Sequence, residues 1–396
     1  MTTTHPSPGP SWLDAPAHRQ WLQRGMADVL GFVLPSIRPD GGFEWLDADG
    51  RALSDRRPLL FLTARMAWAS AVGVRHGIPG SGELLDHAMA SLTGLHADAV
   101  HGGWLTEPGS VTAKSTYDHV HVGLAAATAL GVGHPAAARL LDQVIEVVDS
   151  HLWDDETRTL RESFAPDWSA PEEYRGANAN MHGVEAFIAM GHATGDAVWH
   201  ERALDVADRL VNRAARAHGW LLPEHFSTTW DELPEYNRDD PQHPFRPFGA
   251  TFGHSLEWAR FLLQLEGSLL VDSPDWLLEG AEQLTRRALD GGWALDGRPG
   301  LVYTVDWDGA PVADVRLHWP VCEGIQVTAA LVRRTGDAHW EGWYRRLWDH
   351  AVRYFVDGRG TWRNELDDDL REAGAIWPGR PDVYHCLGAL VTPLEA

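Results

Sequence analysis

Six long stretches of the chain are apolar almost all round the helix that their spacing predicts. A helix with no polar face must lie in a protein core, where an unpaired charge is costly. Yet each stretch carries polar, mostly ionisable residues, in most cases near the end where it begins. The stretches and these residues are Leu59–Val74 (Arg65), Tyr117–Gly131 (Tyr117, Asp118, His119), Asn178–Ala193 (Asn178, His182, Glu185), His254–Leu270 (His254, Glu257), His318–Val332 (His318, Glu323) and Tyr384–Val391 (Tyr384, His385). This repetition predicts one shared, water-accessible pocket.

Amphipathic segments alternate with these apolar stretches, with apolar residues recurring every three or four positions. Some begin with a Gly-Asp pair whose aspartate can cap a helix, as at Gly195-Asp196 and Gly336-Asp337. The alternation repeats six times, with a period of roughly 50 to 75 residues, which is typical of helical repeat architectures. The segments lie near His18–Val33, Glu83–His96, Pro135–His151, Ala197–Ala217, Asp275–Leu289 and Ala338–Val356.

The predicted fold is therefore all-α: an (α/α)6 barrel of six inner and six outer helices, with short β-hairpins or loops at the mouth. An open solenoid is the alternative, but it would expose an apolar end at each terminus unless capped. We expect residues 1–15 to be a loose tail, because Met1–Pro10 is polar and lacks the features of a secretory signal. Residues 16–396 are expected to form a single catalytic domain, with Ser227–Phe248 as a mobile cover.

Charge and composition narrow the possible partners. The formal net charge of −23 argues against nucleic acid or an anionic membrane as a partner, because both require clustered Lys and Arg. Twenty tryptophans favour a sugar-binding site, although most of them could equally belong to the core. Cys322 and Cys386 lie in apolar stretches, which is typical of a reduced, cytoplasmic protein. The sequence leaves the oligomeric state open.

Two pairs of residues, His182 with Glu185 and His254 with Glu257, have i, i+3 spacing, which places both side chains on one helix face. Such pairs could ligate a transition metal, or each histidine could simply be hydrogen-bonded in the core.

His385 begins the last apolar stretch, where a neutral imidazole could accept and return a proton. Arg65 is expected either to pair with a core carboxylate, such as Glu257 or Glu323, or to hold substrate oxygens.

The segments that contain these residues resemble the N-acylglucosamine 2-epimerase superfamily, a group of metal-independent sugar epimerases and isomerases on (α/α)6 barrels. The resemblance runs along nearly the whole chain. It comprises Thr63-Ala-Arg65, Tyr117, Glu173-Tyr-Arg-Gly-Ala-Asn-Ala-Asn-Met-His182-Gly-Val-Glu-Ala, Phe245-Arg-Pro-Phe-Gly, Gly253-His-Ser-Leu-Glu-Trp258, Val302-Tyr-Thr-Val-Asp-Trp307, Trp319-Pro-Val-Cys-Glu323 and Trp377-Pro-Gly-Arg-Pro-Asp-Val-Tyr-His385.

Within the superfamily the chain is most similar to the aldose–ketose isomerases that act on D-mannose, D-lyxose or 6-sulfoquinovose. Pro381-Asp-Val-Tyr-His385 replaces the Trp-Lys-x-Pro-Tyr/Phe-His pattern of the 2-epimerases. Asn364 and Pro381 stand where the sulfoquinovose branch tends to have glutamine, which favours a neutral sugar. The resemblance thus implies interconversion of D-mannose and D-fructose, with D-lyxose and D-xylulose as a further pair, and without a metal or organic cofactor.

Carried over to this chain, the resemblance also implies roles for individual residues. His385 would move the proton from C2 of the open-chain aldose to C1 through a cis-enediol. His254, oriented by Glu257, would assist ring opening and proton movement between the sugar oxygens. The remaining residues would hold hydroxyls and the developing enediolate or, for Trp319, form a wall; they are Arg65, Tyr117, Asn178, His182, Trp319 and Glu323.

Several other functions stay open at this point. A sugar 2-epimerase of the mannose/glucose or cellobiose type could use the same residues, and a sulfoquinovose isomerase is a further relative. A glycoside hydrolase on the same barrel would need two carboxylates that flank the bond, for which Glu257 and Glu323 could be proposed. A non-catalytic sugar-binding barrel would need the aromatic residues but no base.

Overall fold

The computed structural model describes residues 11–53, 55–358 and 360–395 of the chain. Within these residues there are twelve α-helices: α1 Pro16–Val33, α2 Leu60–Arg75, α3 Ser81–Thr93, α4 Thr116–Gly131, α5 Ala137–Val147, α6 Ala177–Thr194, α7 Val198–Ala207, α8 Phe252–Leu269, α9 Trp276–Gly292, α10 His318–Thr335, α11 Ala338–Tyr354 and α12 Tyr384–Glu395. Two π-helical segments, Val148–Leu152 and Asp208–Ala215, continue α5 and α7.

The even-numbered helices form a closed inner ring in the order α2, α4, α6, α8, α10 and α12, and α12 contacts α2. Each odd-numbered helix packs outside the ring: α3 on α2, α5 on α4, α7 on α6, α9 on α8, α11 on α10 and α1 on α12. This is the predicted (α/α)6 barrel, and the contact between α12 and α2 excludes the open solenoid. The predicted inner and outer stretches coincide with these helices.

The burial of the helices follows their sequence patterns. Inner helix α4 is buried over most of its length because its middle is a run of valine, leucine and alanine. Outer helix α5 instead buries one stripe, Leu140, Leu141 and Val144, and leaves its charged side chains outside. No helix in the described part of the chain is both long enough and apolar enough to cross a membrane.

Eleven short strands lie in the connections between the described helices. They are β1 Lys114–Ser115, β2 Trp153–Asp154, β3 Thr159–Leu160, β4 Ser163–Phe164, β5 Arg175–Gly176, β6 His225–Phe226, β7 Thr304–Val305, β8 Pro311–Ala313, β9 Arg316–Leu317, β10 Glu365–Leu366 and β11 Glu372–Ala373. All pair antiparallel: β1 with β4, β2 with β3, β5 with β6, β7 with β8, and β10 between β9 and β11. In register, Lys114 faces Phe164 and Arg175 faces Phe226.

These connections join into a belt around the N-terminal ends of the inner helices. At least one backbone hydrogen bond of 2.7–3.0 Å links each connection to the next, so that all six inner helices begin in one layer. The donor and acceptor pairs are Leu60 N to Thr106 O, Thr116 N to Glu162 O, Ala177 N to Glu224 O, Val305 N to Ala250 O, His318 N to Asn364 O and Arg380 N to Leu46 O. The predicted hairpins at the mouth are thus present, and the belt places the polar helix starts at one end of the barrel.

The predicted loose tail does not extend to residue 15. Residues 1–10 lie outside the described part of the chain, but Trp12–Asp14 forms a 3-10 turn with Leu13 fully buried. The Ser11 hydroxyl donates to Glu341 over 2.6 Å, and the Trp12 backbone N–H donates to the same carboxylate over 2.9 Å. These contacts fasten residues 11–15 to α11.

Candidate active site

A cavity opens at the belt end of the barrel, between the N-terminal parts of the inner helices. Eight of the nine site residues predicted from the sequence line it: Arg65, Tyr117, Asn178, His182, His254, Glu257, Trp319 and His385. The other wall residues are Phe61, Leu62, Pro244, Phe245, His318, Asn364, Trp377, Pro381 and Asp382. The ninth predicted residue, Glu323, is fully buried and does not line the cavity.

His385 lies in the first turn of α12 and is held from behind by Glu323 of α10. Its Nδ1 is 2.9 Å from Glu323 Oε1, so the carboxylate accepts the Nδ1 proton and leaves Nε2 for the cavity. Arg260 and Gln326 also donate to Glu323, each over 2.8 Å. Glu323 therefore positions His385 from behind, and it does not line the cavity in which it was expected to hold sugar hydroxyls.

Burial and charge set the protonation of this pair. Burial lowers the pKa of His385, although its hydrogen bond to Glu323 opposes the shift, so the imidazole is neutral at pH 7. Burial alone would raise the pKa of Glu323, but Arg260 and His385 outweigh it and hold this pKa below its ordinary value. A neutral imidazole backed by a buried carboxylate is the arrangement that a general base requires.

His254, in the first turn of α8, is oriented by Glu224 and not by Glu257. The distance from His254 Nδ1 to Glu224 Oε1 is 2.8 Å. Glu224 directly precedes β6, in the connection from α7 to α8, and its carbonyl accepts the belt hydrogen bond from Ala177. The i, i+3 spacing correctly places His254 and Glu257 on the same cavity-facing side of α8, but their side chains do not bond to each other.

Trp319 separates the two imidazoles. Its ring centroid is 5.2 Å from that of His254 and 5.8 Å from that of His385. Gly253 makes this packing possible, because a Cβ atom there would lie 2.3 Å from the Trp319 ring. The two histidines therefore flank one wall of a single cavity.

Glu257 lies in a buried cluster of acids beneath the cavity. Arg260 Nη2 is 3.8 Å from Glu257 and 3.5 Å from Glu185, while its Nε donates to Glu323. One guanidinium thus faces three carboxyl groups. Burial and the negative charge of Glu323 raise the pKa of Glu257 well above its ordinary value, which favours the protonated form of this carboxyl group.

Arg65 has different partners from those predicted. Its Nη2 donates to the Tyr117 hydroxyl over 2.8 Å, its Nε donates to His121 Nε2 over 3.1 Å, and its Nη1 is 3.7 Å from Asp382. His121 in turn bonds through Nδ1 to the Tyr117 carbonyl over 2.7 Å, so its neutral Nδ1–H tautomer satisfies both contacts. Asp382, not Glu257 or Glu323, is the carboxylate that balances Arg65.

His182 and Asn178 complete the wall on α6. His182 Nδ1 is 3.2 Å from Glu185, whose other oxygen accepts a hydrogen bond from the Tyr384 hydroxyl. The Asn178 amide donates to the Phe245 carbonyl over 3.3 Å. Its own Oδ1 is buried without a hydrogen-bond partner among the described residues, which leaves an acceptor for a bound hydroxyl.

The structure bears on the metal alternative as well. Atoms of Glu257, Glu323 and His385 lie within 4.8 Å of one another, a grouping that could hold an ion. However, both Glu323 oxygens already accept hydrogen bonds, one from Arg260 and the other from His385 and Gln326. A cation would have to displace these donors, so the donor set suits the guanidinium better than a metal.

Several of these residues were not predicted as site residues. Arg260 shows the same signal as Arg65, an arginine inside an apolar helix, and that signal could have identified it. Glu224 and Phe245 belong to the connection between α7 and α8, where no helical periodicity reports which way a side chain points. Asp382 stands in the segment used for the resemblance, but its contact with Arg65 joins positions far apart in the chain.

Comparison with known proteins identifies similar chains. Residues 41–389 match the family model described as N-acylglucosamine 2-epimerase (GlcNAc 2-epimerase). The chain is 44% identical over 391 residues to a D-mannose isomerase from Pseudomonas cannabina pv. alisalensis, covering 97% of this chain and 94% of the relative. It is 45% identical over 390 residues to a D-mannose isomerase from Thermobifida fusca, covering 97% and 96%.

Solved structures show the same architecture. A crystal structure of a D-mannose isomerase superposes with a TM-score of 0.88 at 25% identity, covering 96% of this chain and 100% of that chain. The cellobiose 2-epimerase from Spirochaeta thermophila DSM 6192 superposes with a TM-score of 0.80 at 19% identity, covering 96% and 97%. The second likeness concerns the fold alone.

Proposed function

The chain belongs to the N-acylglucosamine 2-epimerase family, and from this premise we propose that it is an aldose–ketose isomerase that interconverts D-mannose and D-fructose. Residues 16–396 act as one catalytic domain. The observation that carries the proposal is the pair of imidazoles, His385 and His254, on either side of Trp319, each with Nδ1 bonded to a carboxylate and Nε2 left for substrate. The two relatives named for D-mannose support the choice of sugar, and D-lyxose with D-xylulose is a second pair.

The proposed reaction moves one proton between two carbons of the open-chain sugar. Nε2 of His385 takes the proton from C2, the C2–H electrons form the C1=C2 bond of a cis-enediol, and O1 gains a proton. O2 then loses its proton, the C2=O bond forms, and the proton on His385 goes to C1. His254 carries protons to and from the two oxygens. Glu323 stabilises the imidazolium that His385 becomes.

The other cavity residues hold the sugar and its developing charge. Arg65 and Tyr117 supply donors to the sugar oxygens, and Asn178 and His182 bind hydroxyls. Trp319 is the wall against which the sugar lies. Glu257 faces the cavity, and its raised pKa favours the protonated form, which supplies a neutral donor where a carboxylate would repel an enediolate.

The geometry disfavours a glycoside hydrolase that uses Glu257 and Glu323. Hydrolases need two carboxyl groups on opposite sides of the bond to be cleaved. Here Glu323 is fully buried behind His385 and only Glu257 faces the cavity, so the pair does not flank a substrate. The two histidines would also have no role in that chemistry.

One experiment tests the proposal against its rivals. Purified protein is treated with a chelator, incubated with D-mannose in D2O, and the sugars are followed by NMR. D-Fructose formation supports the proposal, whereas D-glucose without fructose indicates a 2-epimerase. Binding without conversion indicates a sugar-binding barrel. Loss of activity on chelation, restored by added metal, would contradict the proposed metal independence while leaving the isomerase assignment intact.

We also infer a cytoplasmic location. Cys322 and Cys386 are both free thiols and both buried. Free thiols are typical of a reducing compartment. Detection of the tagged protein in the soluble cytoplasmic fraction of the cell that makes it tests this inference, and its recovery outside that fraction would contradict it.

A further inference from the structure

A second chamber lies beside the catalytic cavity at the mouth of the barrel. It is lined by residues at the starts of α4 and α6 and by the connection between α7 and α8. Four side chains line both spaces and therefore form the partition between them: Phe61, Tyr117, Asn178 and Phe245. Three of the four stand on inner helices, and Phe245 alone of the four comes from a connection.

Phe245 is the centre of this partition. Its ring centroid is 5.4 Å from that of Tyr117, 5.7 Å from that of Phe61 and 5.4 Å from that of Trp377, in edge-to-face arrangements. The ring thus fills the gap between helix α2, helix α4 and the segment that leads to α12. Truncating Phe245 would open the partition at its centre and leave the three partition side chains of the inner helices in place.

Neighbouring polar contacts fix the position of Phe245. Its carbonyl accepts from Asn178 over 3.3 Å, and its backbone N–H donates to His243 Nδ1 over 3.2 Å. The next residue, Arg246, makes a bidentate pair with Glu172 over 2.7 and 3.0 Å and a further contact with Glu162 over 3.2 Å. The Phe245 ring is therefore a braced part of the cavity wall.

The ring of helices indicates which end of the sugar meets this wall. In a closed ring of six, α10 lies across from α4, so Trp319 faces Tyr117 over the cavity. The proposed reaction holds C1 and C2 between His385 and His254, beside Trp319. The far end of the sugar then points towards Tyr117 and Phe245, and a substituent there would meet the Phe245 ring.

The chamber behind Phe245 has the chemistry of a sugar site. Asp118 and Glu162 line it. Asp118 already accepts from Thr106, and Glu162 from Gly176 and Arg246, but a carboxyl oxygen has a further lone pair that can accept from a hydroxyl. Tyr174 and Tyr236 line it as well, with ring centroids 4.9 Å apart, and give it an aromatic surface. The lining of the chamber thus combines hydrogen-bonding side chains with aromatic rings.

We propose that Phe245 restricts the substrate to unsubstituted monosaccharides, and that the chamber behind it accommodates a second sugar residue when the ring is removed. Phe245 is thus a specificity-determining residue for the proposed reaction. The inference rests on the proposed function for the direction in which the sugar lies.

The test compares Phe245→Ala with the unchanged protein on D-mannose and on 4-O-β-D-mannosyl-D-mannose. The ratio of kcat/KM for the disaccharide to kcat/KM for mannose is expected to rise roughly tenfold or more in Phe245→Ala. Phe245→Met, which keeps a long apolar side chain in the gap, is the matched control and should change the ratio far less than Phe245→Ala. Phe245→Val replaces the alanine variant if the latter loses helical circular dichroism. A folded, active small-side-chain variant with an unchanged ratio overturns the proposal, as does a protein that already converts both sugars equally well.

Disaccharide binding, measured by saturation-transfer NMR, separates this inference from the proposed function. If mannose is not isomerised but Phe245→Ala alone gains disaccharide binding, the proposed function fails, and the inference that Phe245 excludes a second sugar residue stands. If mannose is isomerised and neither binding nor turnover of the disaccharide increases in Phe245→Ala, the inference that Phe245 excludes a second sugar residue fails, and the proposed function stands.

Discussion

The two cavity histidines differ in what lies behind them. His385 bonds to Glu323, a carboxylate of inner helix α10 that is itself held by Arg260 and Gln326. His254 bonds to Glu224, which lies in the connection between α7 and α8 and also lines the second chamber beside the catalytic cavity. One imidazole is therefore anchored in the rigid core and the other in the mouth. The core-anchored histidine suits the carbon proton transfer, which needs the more exact placement of the two.

Replacing the histidines themselves gives the largest expected effect. His385→Ala should lower kcat by about 10²–10⁴-fold and abolish deuterium exchange at the sugar carbons, because it removes the carbon base. His254→Ala should also abolish measurable turnover, because oxygen proton transfer is lost. Both variants should keep the helical circular dichroism of the unchanged protein. Near-normal activity in either variant would refute its role.

Replacing the supporting carboxylates is expected to separate the two histidines. Glu323→Gln should lower the free energy of unfolding by about 3–5 kcal/mol, because Arg260 loses its hydrogen-bonded buried partner. Glu224→Gln should cost about 1 kcal/mol, since Glu224 bonds to His254 and pairs with no arginine among the described residues. Chemical denaturation measures both values. Equal losses of unfolding free energy in the two variants would show that Glu323 and Glu224 do not differ in how they support their histidines.

A smaller difference between the variants of the two supporting carboxylates is expected in the pH dependence of kcat. His385 must be neutral to accept the carbon proton, and burial lowers its pKa below the ordinary 6.5. The acidic limb of the activity profile should therefore have its midpoint below pH 6.5. Glu323 raises the pKa of His385, so Glu323→Gln should move this acidic limb to still lower pH.

Glu224→Gln is the control for that shift, because Glu224 contacts His254 and not His385. Its acidic limb should coincide with that of the unchanged protein. A shift of the limb towards higher pH in Glu323→Gln would contradict the assignment of this limb to His385.

The smallest effect is expected for Glu257→Gln. Burial and Glu323 raise the pKa of Glu257 and so favour its protonated form, and glutamine matches a protonated acid in shape and can still donate a hydrogen bond. We expect kcat to fall less than about tenfold and stability to change by less than about 1 kcal/mol. Steady-state kinetics and denaturation at pH 7 measure both. A loss as large as that of Glu323→Gln would show that Glu257 acts as a charged base.

The fold could be predicted because helical periodicity is a local property. The alternation of apolar and amphipathic stretches identified all twelve helices, and it did so because each inner helix buries every face while each outer helix buries one. Periodicity could not show, by contrast, that residues 11–15 are attached to α11. A short segment such as Trp12–Asp14 has no period, and its contact is with Glu341, more than 300 positions away.

The residues that belong to the site could be predicted, but which of them bond to one another could not. His254 and His385 could be identified because an ionisable side chain in a buried, apolar helix is costly unless it has a bonding partner or belongs to a site. Sequence spacing then suggested Glu257 as the partner of His254, but residues at i and i+3 project side by side into the cavity without having to bond. The true partner, Glu224, lies in the connection between α7 and α8, thirty positions before His254 in the chain.

The sequence by itself determined which helices are buried and which ionisable side chains those helices carry, because both depend on the spacing of neighbouring residues. The tertiary structure alone decided which carboxylate supports which histidine, that Asp382 balances Arg65, and that Phe245 divides two spaces. These pairings join residues from different helices and connections, and they arise only when the ring closes and its strand belt aligns the helix ends in one layer.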